Sequence, residues 1–159
     1  MAGEFGLGIT PWSPLAGGVL SGKYNRSNAG ENTSDRAALI EGSLNEKTYA
    51  VVDELEIIAK AHDTNVASVA LAWLHAQPAV TSIIIGARRL SQFEDNIRAL
   101  DVTLTAEEMA RLNAITEPTF GFPQSMLPIA PGITNGGTTV NGVHAPPSPF
   151  VLQKTDRPY

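Results

Sequence analysis

The sequence predicts an α/β protein with parallel strands, and three observations support this class. Residues 80–85 form an almost wholly apolar, β-branched run, which is typical of a strand buried on both faces of a parallel sheet. Residues 6–13 read as an earlier short strand, with Leu7 and Ile9 in the core and Trp12 as a further candidate. Segments with helical periodicity follow each strand, and such alternation of strands and helices indicates parallel α/β architecture.

The helix starts are predicted from capping patterns, in which a Ser or Thr and a Glu three residues later satisfy free backbone N–H groups. Three such pairs occur, namely Ser43 with Glu46, Ser91 with Glu94, and Thr105 with Glu108. A further helix is expected to begin near Asn65 and to end before Pro78.

Each helix is expected to bury one apolar face. In chain order, the residues assigned to these faces are Val52, Leu55, Ile58, Ala59 and His62, then Val69, Ala70, Trp73 and Leu74, then Phe93, Ile97 and Leu100, and finally Met109, Leu112 and Ile115.

Composition limits the function classes. The 159 residues suffice for one domain with a core, and the lack of cysteine excludes disulfides and thiolate metal sites. No apolar run could span a bilayer and no signal-peptide pattern begins the chain, so a cytoplasmic protein without membrane contact is expected. A net charge of −5 argues against nucleic-acid binding. Against this background, local cations suggest a small anionic ligand: Lys23, Arg26, Arg36, Arg88 and Arg89.

Residues 80–100 combine the features of an anion site. A buried strand ends at Gly86, a short loop carries Arg88 and Arg89, and a helix then begins. Free N–H groups, the positive end of a helix and guanidinium groups converge there, and phosphate is the usual ligand of such a site. The alternative is a solvated loop that happens to carry two arginines. Gly17-Gly18 similarly allows close approach of a ligand to the backbone, or forms a flexible loop.

No catalytic constellation is evident. The spacing of His62, His75 and His144 fits no metal motif, and neither Ser13 nor Ser21 has evident triad partners. We therefore assign no catalytic or metal-binding residue.

Two segments resemble the C-terminal part of an aldo-keto reductase: GLGITPWSPLAGGVLSGKY at 6–24 and IIIGARRLSQFEDNIRALDVTLTAEEM at 83–109, joined by VASVALAWL at 66–74. The resemblance implies the C-terminal portion of a (β/α)8 TIM barrel, with residues 6–13 and 80–85 as strands seven and eight. It also implies NADP(H) as cofactor and reduction of aldehydes and ketones. The branch with this Trp-Ser-Pro-Leu-Ala loop includes β subunits of voltage-gated potassium channels.

The resemblance also assigns the cofactor contacts. The nicotinamide and pyrophosphate would lie against Trp12, Ser13, Pro14, Leu15, Ala16 and Gly17. Phosphates would meet Lys23 and, on a poorly aligned loop, Arg36. The adenosine phosphate end would be held by Gly86 and Arg88, and the ribose phosphate or adenine by Gln92, Asp95 and Asn96. The family often has Glu in place of Asp95, so this contact is less secure.

The family's catalytic Asp, Tyr, Lys and His lie on earlier strands, which are absent from this sequence. Residues 6–117 are therefore interpreted as a C-terminal part of the barrel that is not catalytic alone. A complete barrel takes about 250 residues, which is far more than this segment provides. The small-molecule carbonyl substrate would belong to the parent enzyme. The other hypothesis is a non-catalytic nucleotide-binding or interaction module. Two uncovered strands favour self-association or binding of a complementary N-terminal half.

The chain ends carry less pattern. Residues 1–5 are interpreted as cloning-derived. Eight of the eleven prolines fall within 118–159, so this segment is expected to be an extended tail or linker. The tail lacks the family's familiar substrate-loop pattern, so it does not indicate a substrate.

Overall fold

The computed structural model describes residues 1–28 and 40–147. The chain divides into two compact units, Met1–Glu117 and Pro118–Tyr159. No helix within the described ranges is both long and apolar enough to cross a membrane.

The described residues of the first unit form four main helices. They are α1 (Glu46–Ala61), α2 (Val66–His75), α3 (Leu90–Arg98) and α4 (Ala106–Thr116). Short 3-10 turns span Gly3–Phe5, Ala16–Ser21, Arg26–Asn28, Glu41–Ser43 and Ala99–Asp101.

Helices α1, α2 and α4 share the main core of the first unit. The fully enclosed side chains are Leu55, Ile58, Ala59, Val69, Ala70 and Leu112, all from the apolar faces that the sequence predicts. Trp73 is only half-buried at the edge of this cluster, where its Nε1 donates to Asn113 Oδ1 at 2.9 Å. His62 is half-buried as well.

Two helix starts are confirmed and two are wrong. Asn65 caps α2 by accepting from Ser68 N, and Thr105 and Glu108 form the predicted capping box of α4. Helix α1 is capped by Asn45 rather than Ser43, because the Asn45 side chain accepts from Thr48 N at 3.0 Å. Helix α3 begins at Leu90, before Ser91, and Gln92 instead of Glu94 satisfies the backbone preceding it.

The two predicted strands lie side by side and parallel, but they form only isolated bridges, Ile9 with Val80 and Trp12 with Ile84. Ile9 N donates to Ala79 O at 2.7 Å, and Thr81 N donates to Ile9 O at 3.0 Å. The segments approach so closely that a Cβ at Gly8 would overlap the Thr81 side chain.

The expected burial of these segments is wrong. Leu7, Ile9 and Ile84 are exposed, and Trp12 is 82% exposed. The same holds for Phe93, Ile97 and Leu100, the face assigned to the third helix. The physical reason is the lack of a covering layer: in the described chain these two extended segments pair only with each other, so no closed barrel forms.

The second unit is more regular than an extended tail. It contains a 3-10 turn at Gln124–Met126, a short helix α5 (Ala130–Thr134) and a hairpin of β1 (Thr138–Val140) and β2 (Val143–Ala145). Val140 pairs with Val143 across Asn141-Gly142, whose φ angles are 50° and 80°. Asn-Gly between apolar residues is a strong hairpin signal, and the interpretation as a featureless tail missed it.

Candidate functional site

A cavity of about 590 Å³ lies in the first unit, where the end of the first extended segment meets the starts of α2 and α3. Its lining comprises Trp12, Ser13, Pro14, Leu15, Gly17, Gly18, Ser21, Lys23, Asn65, Ala67, Ile84, Ile85, Gly86, Arg88, Gln92, Asp95 and Asn96. The volume is in the range of small-molecule sites.

One wall is the Gly-rich turn, residues 13–18, whose backbone is unusual. Ser13 and Ala16 adopt positive φ angles of 56° and 49°, which non-glycine residues rarely do, and Gly17 and Gly18 follow at 68° and 102°. Gly17 N donates to Ser13 Oγ at 3.3 Å, and Gly18 N donates to Leu15 O at 2.8 Å. Backbone strain of this kind concentrates at ligand sites, where the surrounding structure maintains it.

Lys23 places a cation at this wall. Its ammonium lies 4.6 Å from the centroid of the Tyr24 ring, and Tyr24 is buried with Val19 and Ile40. The Lys23 side chain also crosses Gly18, because a Cβ at Gly18 would lie 3.3 Å from Lys23 Nζ. The ammonium therefore sits over the glycine backbone, where an anionic ligand in the cavity would meet it.

A second part of the lining is the loop that leads into α3. Gln92 Oε1 accepts hydrogen bonds from Arg88 N at 3.0 Å and from Arg89 N at 3.3 Å, which fixes the loop against the first turn of the helix. The Arg88 side chain is exposed and lines the cavity. Together with Lys23 and the nearby starts of α2 and α3, Arg88 makes the cavity suitable for negative charge.

Asn96 lines the cavity as well. The residue is largely buried, at 8% exposed. Neighbouring Asp95 is held from two sides: Ser68 Oγ donates to Asp95 O at 2.7 Å, and Arg98 donates to Asp95 Oδ1 at 2.9 Å.

The cavity brings together nearly all the residues that the sequence assigns to the cofactor. Of those assigned, Ala16 does not line it, and Arg36 lies outside the described residues. The ion pair with Arg98 occupies one carboxylate oxygen of Asp95, which weakens the case for its ligand contact. The role of all these residues as cofactor contacts stays a prediction.

Sequence reasoning missed five lining residues: Ser21, Asn65, Ala67, Ile84 and Ile85. Gly18, which was noted for the close approach that it allows, also lines the cavity. Asn65 had been recognised only as a helix cap, and Ile84 and Ile85 only as strand residues. The role of Asn65 could have been predicted from the helix that starts there, because the start of a helix provides free N–H groups for a phosphate.

Three charged groups near the helices have shifted pKa values. The hydrogen bond to Asp53, and then that to Glu46, raise the pKa of Arg26, and the hydrogen bond to Glu54 raises that of Arg111. Burial acts most strongly on the Glu108 carboxyl and would raise its pKa. Hydrogen bonds from Thr105 and His62 outweigh burial, so the pKa of Glu108 is lowered.

The parallel pair and the helices packed beside it define an α/β unit, and the cavity is its candidate small-molecule site. The model of the aldo/keto reductase family matches residues 1–117, and the chain belongs to this family. The family fold is a (β/α)8 barrel. Within the part of the chain that the structure describes, the first unit contains one pair of parallel extended segments and no closed barrel.

Curated relatives agree with this membership. The chain is 42% identical to the uncharacterized oxidoreductase YrpG of Bacillus subtilis over 114 residues, covering 72% of this chain and 33% of that protein. It is 37% identical to a probable voltage-gated potassium channel subunit beta of Oryza sativa subsp. japonica over 119 residues, covering 71% and 36%. It thus spans about a third of these relatives.

A third relative is similar to this chain in extent. A putative aryl-alcohol dehydrogenase of Saccharomyces cerevisiae is 26% identical over 149 residues, covering 91% of this chain and 97% of that protein.

Proposed function

We propose that the chain is the cofactor-binding, C-terminal part of an aldo-keto reductase barrel and that its cavity holds NADP(H). The main support is the convergence of the Gly-rich turn, Lys23 and the start of α3 on one cavity. Residues 6–13 and 80–85 would then be strands seven and eight. The loops after these strands form the usual phosphate site of such barrels.

The residues present fit a dinucleotide. Lys23 and Arg88 would neutralise phosphate oxygens, and the glycine backbone of the turn would allow a phosphate or ring to approach closely. The amide of Asn96, which lines the cavity, would bond a polar group at the adenosine end. When bound, the cofactor supplies the hydride for carbonyl reduction. The chain's own residues would bind and orient it.

Reduction of aldehydes or ketones would require the remaining barrel segments, because the resemblance places the family's catalytic Asp, Tyr, Lys and His on strands earlier than the two proposed here. We propose that the chain alone binds the cofactor without turning over substrate. A segment that supplies these four residues would restore activity.

A titration of the 159-residue chain with NADPH tests the cofactor site. Cofactor fluorescence should change saturably, and Lys23→Ala should weaken binding by about tenfold, as expected for loss of a charge-assisted contact. Lys60→Ala is the matched control, since Lys60 is an exposed cation that does not line the cavity. An absence of saturable binding by the wild-type chain would contradict the proposal.

The second candidate function is a non-catalytic nucleotide-binding or interaction module. It is favoured by the relatives that are named potassium channel β subunits. Co-expression with the part of YrpG outside the matched region separates the two candidates. NADPH-dependent turnover of a reactive aldehyde by the assembled pair supports the reductase. Assembly and NADPH binding without turnover support the module.

A further inference from the structure

We propose that Arg26 is a positioning residue that clamps the segment carrying Lys23 to α1 and so holds the Lys23 ammonium at the cavity. The inference rests on the proposed cofactor site. Arg26 Nε donates to Asp53 Oδ2 at 2.9 Å, and Arg26 Nη1 donates to Glu46 Oε2 at 2.7 Å. Its guanidinium carbon lies 5.7 Å from the centroid of the Tyr49 ring.

The three partners form a docking stripe on α1. Glu46, Tyr49 and Asp53 are spaced three and four residues apart, so they lie on one face of the helix. The planar guanidinium uses two different nitrogens for the two carboxylates, which fixes its direction as well as its location. An ammonium group cannot reproduce this fork.

The clamp is long-range along the chain. Arg26 is separated from Asp53 by 27 residues and from Glu46 by 20. An exposed ion pair contributes little to overall stability. A pair that joins a surface turn to a helix can nevertheless decide where the turn lies, because the two carboxylates tie the turn to one place on the helix surface.

The position of Lys23 depends on this turn. Tyr24 is 1% exposed and anchors the segment inward against Val19 and Ile40. Arg26, two residues later, anchors it outward on α1. Lys23 immediately precedes these two anchors, and its ammonium lies against the Tyr24 ring and over Gly18. Loss of the Arg26 side chain would remove the outward one of these two anchors, so the segment would hold the ammonium less firmly at the cavity.

A matched control is a second arginine that contacts the same helix, α1. Arg111 Nε donates to Glu54 Oε1 at 2.7 Å, so it also joins α1 to another segment through an exposed guanidinium. Arg111 does not line the cavity and lies in α4. Arg111→Ala removes the same charge and one α1 ion pair, but leaves the Lys23 segment anchored.

The experiment has two parts. Amide hydrogen exchange on the cofactor-free chain should be faster over residues 22–28 in Arg26→Ala than in the wild type, with exchange in α2 unchanged. Arg111→Ala should match the wild type over 22–28. NADPH titration should show about three- to fivefold weaker binding for Arg26→Ala and partial recovery for Arg26→Lys, with Arg111→Ala unchanged.

The double variant Lys23→Ala/Arg26→Ala shows whether Arg26 acts through Lys23. Its affinity should equal that of Lys23→Ala alone, and an additive loss would overturn the proposal. Unchanged exchange over residues 22–28 in Arg26→Ala would also overturn it. If the wild-type chain fails to bind NADPH, the proposed function fails, and the exchange measurement alone then decides whether Arg26 anchors the segment.

Discussion

At the scale of single residues, Glu108 links two helices. Its Oε2 accepts from Thr105 N at 2.8 Å and from Thr105 Oγ1 at 3.0 Å, which caps α4. Its Oε1 lies 3.0 Å from His62 Nε2, at the end of α1. Because the side chain is only 8% exposed, these partners replace water around the carboxylate.

Glu108→Gln should lower the free energy of unfolding at pH 7 by about 1–3 kcal/mol, because a buried charge-assisted network is lost. The native state lowers the pKa of Glu108 from 4.5. The carboxylate's contribution is therefore complete above pH 4.5 and is lost as the pH falls through the native pKa. Urea unfolding should show the two proteins converging in acid. Exposed Glu107→Gln is the control, and a pH-independent difference for Glu108→Gln would contradict the prediction.

Arg88 provides the second prediction at this scale. Arg88→Ala should weaken NADPH binding by about tenfold and NADH binding much less, because a guanidinium at the start of α3 would meet the additional ribose phosphate. Competition titrations with both cofactors measure this difference. Arg89→Ala serves as the control because Arg89 does not line the cavity. Equal losses for the two cofactors would show that Arg88 does not contact that phosphate.

At the scale of elements, sequence patterns predict the positions of the helices better than they predict the side chains that cap them. The positions of α1 to α4 and the caps Asn65 and Thr105 follow from the sequence. The choice of Asn45 over Ser43 does not, because both can accept a backbone hydrogen bond and the local geometry decides between them. In the structure Ser43 contributes its carbonyl oxygen, which accepts from Thr48 Oγ1 at 2.6 Å.

The contact between α2 and α3 provides a prediction for these elements. Ser68 is fully buried, and its Oγ donates to Asp95 O at 2.7 Å. Ser68→Ala removes the partner of this carbonyl and should cost about 1–3 kcal/mol of unfolding free energy. Ser91→Ala should change stability by less than about 0.5 kcal/mol, because Ser91 is exposed and does not cap α3. Chemical denaturation of both variants measures the difference. A large effect of Ser91→Ala would instead support the prediction that Ser91 caps α3.

At the scale of the whole molecule, the sequence predicts the parallel pairing of residues 6–13 with 80–85 and most of the cavity lining. The two strands follow from local composition, whereas their pairing and most of the lining residues follow from the resemblance to the aldo-keto reductases. The exposure of Trp12 and Ile84 could not be predicted in the same way. Whether a side chain is buried depends on which other segments of the protein cover it. The β-branched run indicates a covered strand, while the described chain provides no layer over it.

The same lack of cover gives the last prediction. Leu90, Phe93 and Ile97 lie along one face of α3, with Leu100 just beyond it, and all four are exposed, Leu90 at 71%. Ile84, on the second extended segment, adds further exposed apolar surface. Such patches and edges favour association. Burial of apolar surface contributes about 25 cal/mol per Å², so a few hundred Å² per partner favours pairing strongly before entropy is subtracted.

We therefore propose that the chain self-associates or binds a complementary N-terminal half of the barrel. Sedimentation velocity at micromolar concentration should show species larger than the monomer, and the double variant Phe93→Glu/Ile97→Glu should shift the distribution toward the monomer. Ile57→Glu is the matched control, since Ile57 is exposed on α1, outside the α3 face. A wild-type chain that sediments as a compact monomer and melts sharply would contradict the proposal, because these apolar groups would then be stable in contact with water.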